Sequence, residues 1–422
     1  VGIPTDCPTR EKAGWTGDVY IYGKTSCFNQ NLLTFYEEWL RSVRAEQMDN
    51  GGVAYTVPQI KNYVQQLGGI STGWGDVIVE LPLQLYRIYG DRSVLEQNYD
   101  AMKRWQRCLQ HMAESELSPE AAQMEGRELE NQRYLINTGF QFGDWLVPSV
   151  KNEQGFADGQ ASSFLTGHKV ATTIYADTTE KLGKIAGLLG DDEEADRCEK
   201  LAGRIREAFE ETYFQKDGTL AGDLQGLYIL ALKMRMVSDK HRSALMKRLL
   251  EKIRENNGCM DCGFMSVPHI MDVLTDNGEQ EEAWKLLFQD QCPSWLYEVD
   301  RGATTMWESW NAIDENGNRD GCSFNHYAFG CVGDWMYRNI LGIRAAAPGY
   351  EKITIAPDTD GPLTQAKGYY DSVHGRIALE WRREADGTVT VRGEIPANTS
   401  AVLNIRGTEE KLGNGRFEKT FH

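Results

Sequence analysis

The stretch Gly14-Trp15-Thr16-Gly17-Asp18 sets a Gly-Asp pair beside a tryptophan, and the same grouping returns three times along the chain. It stands as Gly73-Trp74-Gly75-Asp76, as Phe142-Gly143-Asp144-Trp145 and as Val332-Gly333-Asp334-Trp335. An aspartate ahead of an amphipathic run accepts the free N–H groups of a first helical turn, so each grouping is a candidate helix start. The first three aspartates are 58 and 68 residues apart, about the length of one helical hairpin with a long loop. Successive hairpins of that kind can close into a toroid of paired helices, with the Gly-Asp loops lining one end. The plainer alternative is a common helix-start signal that carries no further meaning.

Outward from these groupings, apolar residues keep helical spacing through 19–47, 76–89, 95–112, 159–189, 191–213, 223–236, 238–255, 279–288 and 325–340. After Ile343 the pattern changes. The run Ala345-Ala346-Ala347-Pro348-Gly349 reads as a linker, and short alternating segments follow at 352–356, 366–370, 376–382, 389–395 and 401–405. Turn signals such as Asp358-Thr359-Asp360-Gly361 separate them. The pattern predicts a mainly α chain, with a ring of paired helices over 1–343 and a small antiparallel β-sandwich over 344–422.

Composition narrows the function. Of 422 residues, 45 are Lys or Arg and 62 are Asp or Glu, a net charge of −17. Phosphate backbones demand a basic footprint, so nucleic acid is not an expected partner. No apolar run reaches the ~20 residues of a membrane span, so a membrane is not expected either. Nine cysteines, an odd and scattered set, fit a reducing compartment better than a disulfide framework, and the expected location is cytoplasmic. The chain starts at Val1 without an initiator Met, which reads as a cut end. Cys259-Met260-Asp261-Cys262 lacks the second ligand pair of a zinc site, and no phosphate-binding or dinucleotide fingerprint is present. No metal and no cofactor are expected; a homo-oligomer is left open.

Two loops carry chemistry. In Pro4-Thr5-Asp6-Cys7-Pro8-Thr9-Arg10-Glu11-Lys12-Ala13-Gly14-Trp15-Thr16-Gly17-Asp18, three carboxylates crowd into a segment too rich in Pro and Gly for a helix. Like charges at close range raise a carboxyl pKa and can make it a proton donor, although a solvated loop with an Arg–Asp pair would explain the same residues. In Thr304-Thr305-Met306-Trp307-Glu308-Ser309-Trp310, a lone Glu308 stands between tryptophans, whose faces also suit the C–H faces of a pyranose. Phe324-Asn325-His326-Tyr327 adds groups that could bond hydroxyls, with the reservation that a lone histidine is more often a satisfied core residue. Two separated carboxylates in Trp-rich loops are what glycosidic hydrolysis requires.

The stretch Asp6–Asp18 resembles the signature of bacterial α-L-rhamnosidases of glycoside hydrolase family 78. Ala303–Glu308, Asn325–Gly330, and Ile355-Ala356-Pro357 with His374-Gly375-Arg376-Ile377 look like further motifs of that family, so the likeness covers nearly the whole chain. The resemblance implies an (α/α)6 barrel, or six-hairpin toroid, and inverting hydrolysis of terminal α-L-rhamnose from oligosaccharides or plant glycosides. It implies Glu11 as general acid and Glu308 as general base. Asp6, Arg10, Asp18 and His326 would bind the sugar, and Trp15, Trp74, Asp144, Trp145 and Trp307 are added as substrate-binding candidates. Trp310 is expected at the same pocket. Family members carry β-domains before the barrel, and none precedes the signature here. Another sugar-active toroid (a different glycosidase or a polysaccharide lyase) and a non-catalytic carbohydrate-binding protein stay open beside it. The carboxyls of an inverting pair should lie roughly 6.5–9.5 Å apart, and Glu11 should have a raised pKa.

Overall fold

A computed structural model describes residues 2–60 and 69–422, and Val1 lies outside that range. The chain divides into two compact units: residues 1–22, 37–81 and 98–330, and residues 23–36, 82–97 and 331–422.

The first unit is helical. Its longest pair is Gly159–Leu189 packed along Asp192–Tyr213. Asp158 caps the first of these by accepting the Ala161 N–H, and Gly190, at φ 85°, turns the chain back in the left-handed region that glycine tolerates. Asp191 then caps the next helix through the Glu194 N–H, so the hairpin is punctuated by residues that the sequence displays. Val170, Ile174, Leu182 and Ile185 bury the inner stripe of the long helix. The helix Gln225–Lys233 packs on both Asp239–Glu255 and Val267–Asp276, and the latter on Gln280–Leu287. Among the described residues no helix is long and apolar enough to cross a membrane.

Local details differ from the sequence expectation. The run 19–47 is two helices, Thr16–Asn29 and Leu33–Ala45. The run 325–340 is broken into a 3-10 turn Ala328–Cys331, a short helix Val332–Trp335 and a π turn Met336–Ile340. Of the Gly-Asp groupings, Asp18 lies in the first turn of Thr16–Asn29 and Asp76 directly precedes Val77–Tyr89. Asp144 starts no helix, since the next regular one begins at Gly159.

Two four-stranded sheets form the sandwich of the second unit. One has the order β1 (Ile343–Ala345), β2 (Lys352–Ile355), β6 (Ser400–Ile405), β7 (Thr408–Leu412). The other has β3 (Gln365–Ser372), β4 (Gly375–Arg383), β5 (Val389–Ile395), β8 (Gly415–Phe421). Alternation buries Ile377, Leu379, Trp381, Val389 and Val391 from one sheet and Ile353, Ile355, Leu403 and Ile405 from the other. The pairings are antiparallel except β2 with β6, which is parallel. The expected linker begins inside β1, where Ile343 pairs with Ile355.

Candidate active site

The loop ahead of the first helix is folded on itself. The Arg10 and Lys12 N–H groups both donate to the Cys7 carbonyl, and Lys12 adopts φ 58° to make the turn. Thr16 N–H donates to Tyr55 and Val57 N–H to Gly14, which pins Trp15 across a short antiparallel bridge to Thr56. A Cβ at Gly17 would fall 2.5 Å from the Trp74 ring, so only glycine lets that indole lie against the helix start.

The second loop is tied as firmly. Glu308 N–H donates to Ser323, Ser323 N–H returns a bond of 2.7 Å to Glu308 Oε2, and His326 N–H donates to Met306. Trp307 N–H donates to Glu298 Oε2 at 3.1 Å. Glu298 is buried, and burial pushes its carboxyl up to about 8. It stands at one end of the loop that carries Glu308, and nothing in its local sequence marked it.

These loops meet at a cavity of about 440 Å³ lined by Asp6, Arg10, Glu11, Trp15, Asp18, Trp74, Trp145, Glu308 and His326, together with Phe142 and Phe264. The two phenylalanines were not expected. Phe142 is the hub of the aromatic wall, stacked on Trp74 at 4.2 Å and edge-on to Trp15 and Trp145 at 6.0 and 5.4 Å. Its place in the Phe-Gly-Asp-Trp grouping was the available signal. Phe264, 5.3 Å from His326, had none.

Three sequence candidates lie outside the lining. Asp144 is fully buried and accepts from Gly263 N–H (3.1 Å), Ser266 N–H (2.9 Å) and Ser266 Oγ (2.7 Å), so it anchors a neighbouring turn instead of facing the cavity. Trp307 is buried edge-on against Phe324. Trp310 is stacked on Phe329 at 4.0 Å with its indole N–H on the Cys262 carbonyl. Asp144→Ala would strand three buried donors, so it should destabilise the fold by roughly 3 kcal/mol. Thermal denaturation checks this; an unchanged Tm would show the donors had found another acceptor.

One cation organises the two glutamates. Arg10 Nε and Nη2 contact Glu11 at 2.6 and 3.2 Å, while Nη1 and Nη2 contact Glu308 at 2.7 and 3.2 Å. Trp15 Nε1 adds a bond of 3.2 Å to Glu11. Burial would raise the Glu11 carboxyl, but the Arg10 hydrogen bonds and charge outweigh it and hold the group at about 2. The expected raised pKa is therefore corrected: Arg10 points inward and keeps Glu11 ionised. In the same loop Asp6 is raised instead, pushed up to about 7 by burial and then by Asp18. His326 Nε2 lies 3.0 Å from Asp18 and 3.8 Å from Asp6. Burial alone would lower the imidazole, but Asp18 and the carboxylates beyond it raise it. Asp6 Oδ1 is buried without a side-chain partner within hydrogen-bond geometry among the described residues.

Asp6, Cys7 and His326 also bring potential metal-ligand atoms within 4.8 Å of one another. In the site as it stands, His326 Nε2 is turned to Asp18, and Cys7 Sγ is 3.4 Å from Arg10 Nη2. A guanidinium at that distance opposes a second cation. All nine cysteines are free thiols.

Comparison with known proteins agrees over both parts of the chain. Residues 1–340 match the family described as bacterial alpha-L-rhamnosidase 6 hairpin glycosidase domain, and residues 342–419 the bacterial alpha-L-rhamnosidase C-terminal domain. An alpha-L-rhamnosidase of Formosa agariphila is 36% identical over 411 residues, covering 96% of this chain and 41% of the relative. The crystal structure of the Streptomyces avermitilis alpha-L-rhamnosidase complexed with L-rhamnose is similar with a TM-score of 0.86 at 31% identity, over 100% of this chain and 39% of that one. The Aspergillus terreus enzyme follows with 0.85 at 28%, over 99% of this chain and 47% of that one. The chain spans less than half the length of these relatives.

Proposed function

The chain belongs to the bacterial α-L-rhamnosidase six-hairpin glycosidase family, and from that premise we propose that it hydrolyses terminal, non-reducing α-L-rhamnosides. The reaction inverts the anomeric centre, with Glu11 as acid and Glu308 as base, in a barrel over 1–343 followed by a sandwich over 344–422. The observation that carries the reading is one cavity with an aromatic wall on which both glutamates meet. The neutral sugar lies against Trp15, Trp74 and Trp145, and its hydroxyls reach Asp6, Asp18 and His326. Water loses a proton to Glu308 as its oxygen bonds the anomeric carbon. The bond to the aglycone breaks on the other side, and Glu11 delivers its proton to the departing oxygen. Arg10 Nη2 is 3.2 Å from one oxygen of each glutamate, so the clamp holds those two oxygens at most about 6.4 Å apart, short of the roughly 6.5–9.5 Å expected between the carboxyls of an inverting pair. Because Arg10 holds Glu11 ionised, acid catalysis requires the bound sugar to draw Arg10 away. Rhamnose-bearing oligosaccharides or plant glycosides are the substrate class, and nine free thiols favour the cytoplasm.

The hold of Arg10 on both carboxylates supports one second reading, a sugar-binding site without turnover. p-Nitrophenyl α-L-rhamnopyranoside separates the two. The expected result is hydrolysis of this glycoside in preference to other nitrophenyl glycosides, with the inverted anomer as first product by NMR. No turnover would leave the binding reading, and a retained anomer would end the two-carboxylate inverting scheme.

A further inference from the structure

The outward face of the β3–β4–β5–β8 sheet carries two neighbouring cross-strand rows. One runs Tyr369, Ala378, Glu394, Arg416, and the next runs Lys367, Glu380, Arg392, Glu418. Ala378, the smallest member, lies between the larger side chains and floors an open cleft of about 830 Å³. Tyr369 stands at its edge with half its surface exposed, the one large aromatic so exposed on these strands among the described residues. Arg376 fixes that ring by placing its guanidinium 3.8 Å from the ring centre, and is itself held by Asp371 at 2.7 Å.

The charges cancel. Glu380 takes Arg392 at 2.6 Å and Lys367 at 3.6 Å, and Glu394 takes Arg416 at 3.6 Å. With Arg376 on Asp371 and Glu418 opposite Arg392, four cations meet four carboxylates, on a chain whose net charge is −17. A face with no net field attracts neither a polyanion nor a polycation. It does present donors and acceptors in alternation at the strand spacing of about 4.8 Å, comparable to the width of a pyranose ring. Each hydroxyl of a neutral sugar can donate to a carboxylate and accept from a guanidinium there, bonds of the stronger, charge-assisted kind. An amphipathic aromatic beside them supplies the surface for the sugar's C–H face.

We propose that this cleft is a second carbohydrate-binding surface, separate from the barrel cavity, that holds a neutral polysaccharide chain. It rests on the carbohydrate reading of the barrel only for the choice of ligand class. The full chain would be run by affinity electrophoresis through gels containing galactan, arabinan, mixed-linkage β-glucan or polygalacturonate, with excess free L-rhamnose to occupy the barrel cavity. The expected result is retardation by at least one neutral polymer, weakened at least tenfold in Tyr369→Ala and in Arg392→Ala and kept in Tyr369→Phe. Hydrolysis of the nitrophenyl rhamnoside should be the same in all four proteins. Circular dichroism melts establish that the exposed substitutions leave the sandwich folded. No retardation by any neutral polymer, retardation by polygalacturonate alone, or retardation unchanged in Tyr369→Ala would each overturn the proposal. Absence of hydrolysis with retardation intact would strike the barrel reading and leave this one standing.

Discussion

Glu308→Gln is expected to lower kcat by about 10³-fold or more on every rhamnoside, because activation of water is common to all of them and proton transfer of this kind contributes up to ~10⁴-fold. Glu11→Gln should divide substrates. A nitrophenolate leaves with little help, so its release should slow by about tenfold or less. A sugar alkoxide needs the proton, and its release should slow by about 10²–10⁴-fold. Steady-state kinetics on one activated and one natural rhamnoside for each variant reads both outcomes. Equal losses for Glu11→Gln on the two substrates would remove Glu11 from the acid role. A Glu308→Gln variant still active on the activated substrate would mean that water attack does not depend on that carboxylate. Both substitutions keep the size of the side chain and its capacity to accept the bonds from Trp15 and Ser323, so a loss of activity is not a loss of the loops.

How far the fold could be read depended on whether its determinants were local. The switch at Ile343 from helical to alternating spacing was legible because each pattern is written within ten residues. β7 and β8 were missed because charged residues break up any apolar alternation in Thr408–Leu412 and Gly415–Phe421, and each buries a single residue, Leu412 or Phe421. β1 was hidden in an alanine-rich stretch that pairs only through its backbone register with β2. In the candidate site, Asp144 and Asp18 sit in similar motifs yet face different ways. What turns Asp144 inward is the acceptor demand of Gly263 and Ser266, more than a hundred residues away, which no local pattern encodes. Trp307 and Trp310 were chosen for their neighbours in sequence, whereas their neighbours in space are Phe324 and Phe329. The crowding of Asp6, Glu11 and Asp18 was visible, but which of them it neutralises was not. Burial and Asp18 raise Asp6, and the direction of one arginine decides Glu11 in the opposite sense.

That arginine gives the second large effect. In the free protein Arg10 holds Glu11 at about 2, against a burial that would otherwise raise it. If a bound sugar draws the guanidinium away, burial is left unopposed and Glu11 rises. The free form is then ionised at every pH above about 2, while the bound form holds a proton up to its new, higher pKa. Binding therefore takes up a proton between those two values, and affinity must weaken as pH rises through that window, by up to about tenfold per pH unit. Calorimetric titration of L-rhamnose in two buffers of different ionisation heat measures the uptake directly, and it should be positive between the free and the bound pKa of Glu11. Arg10→Gln removes the clamp in the free protein, so Glu11 is already free to rise. Proton uptake should fall towards zero and the pH dependence of binding should flatten. The same variant loses a charge-assisted partner for the sugar, so kcat/KM should fall by roughly 10–150-fold, the range expected for one hydrogen bond to a charged group. A purely structural Arg10 would lower stability or activity without moving the proton count. Native protein that binds rhamnose with no proton uptake from pH 4 to 7 would show that Arg10 stays on Glu11 in the complex, and Glu11 could not then serve as the acid.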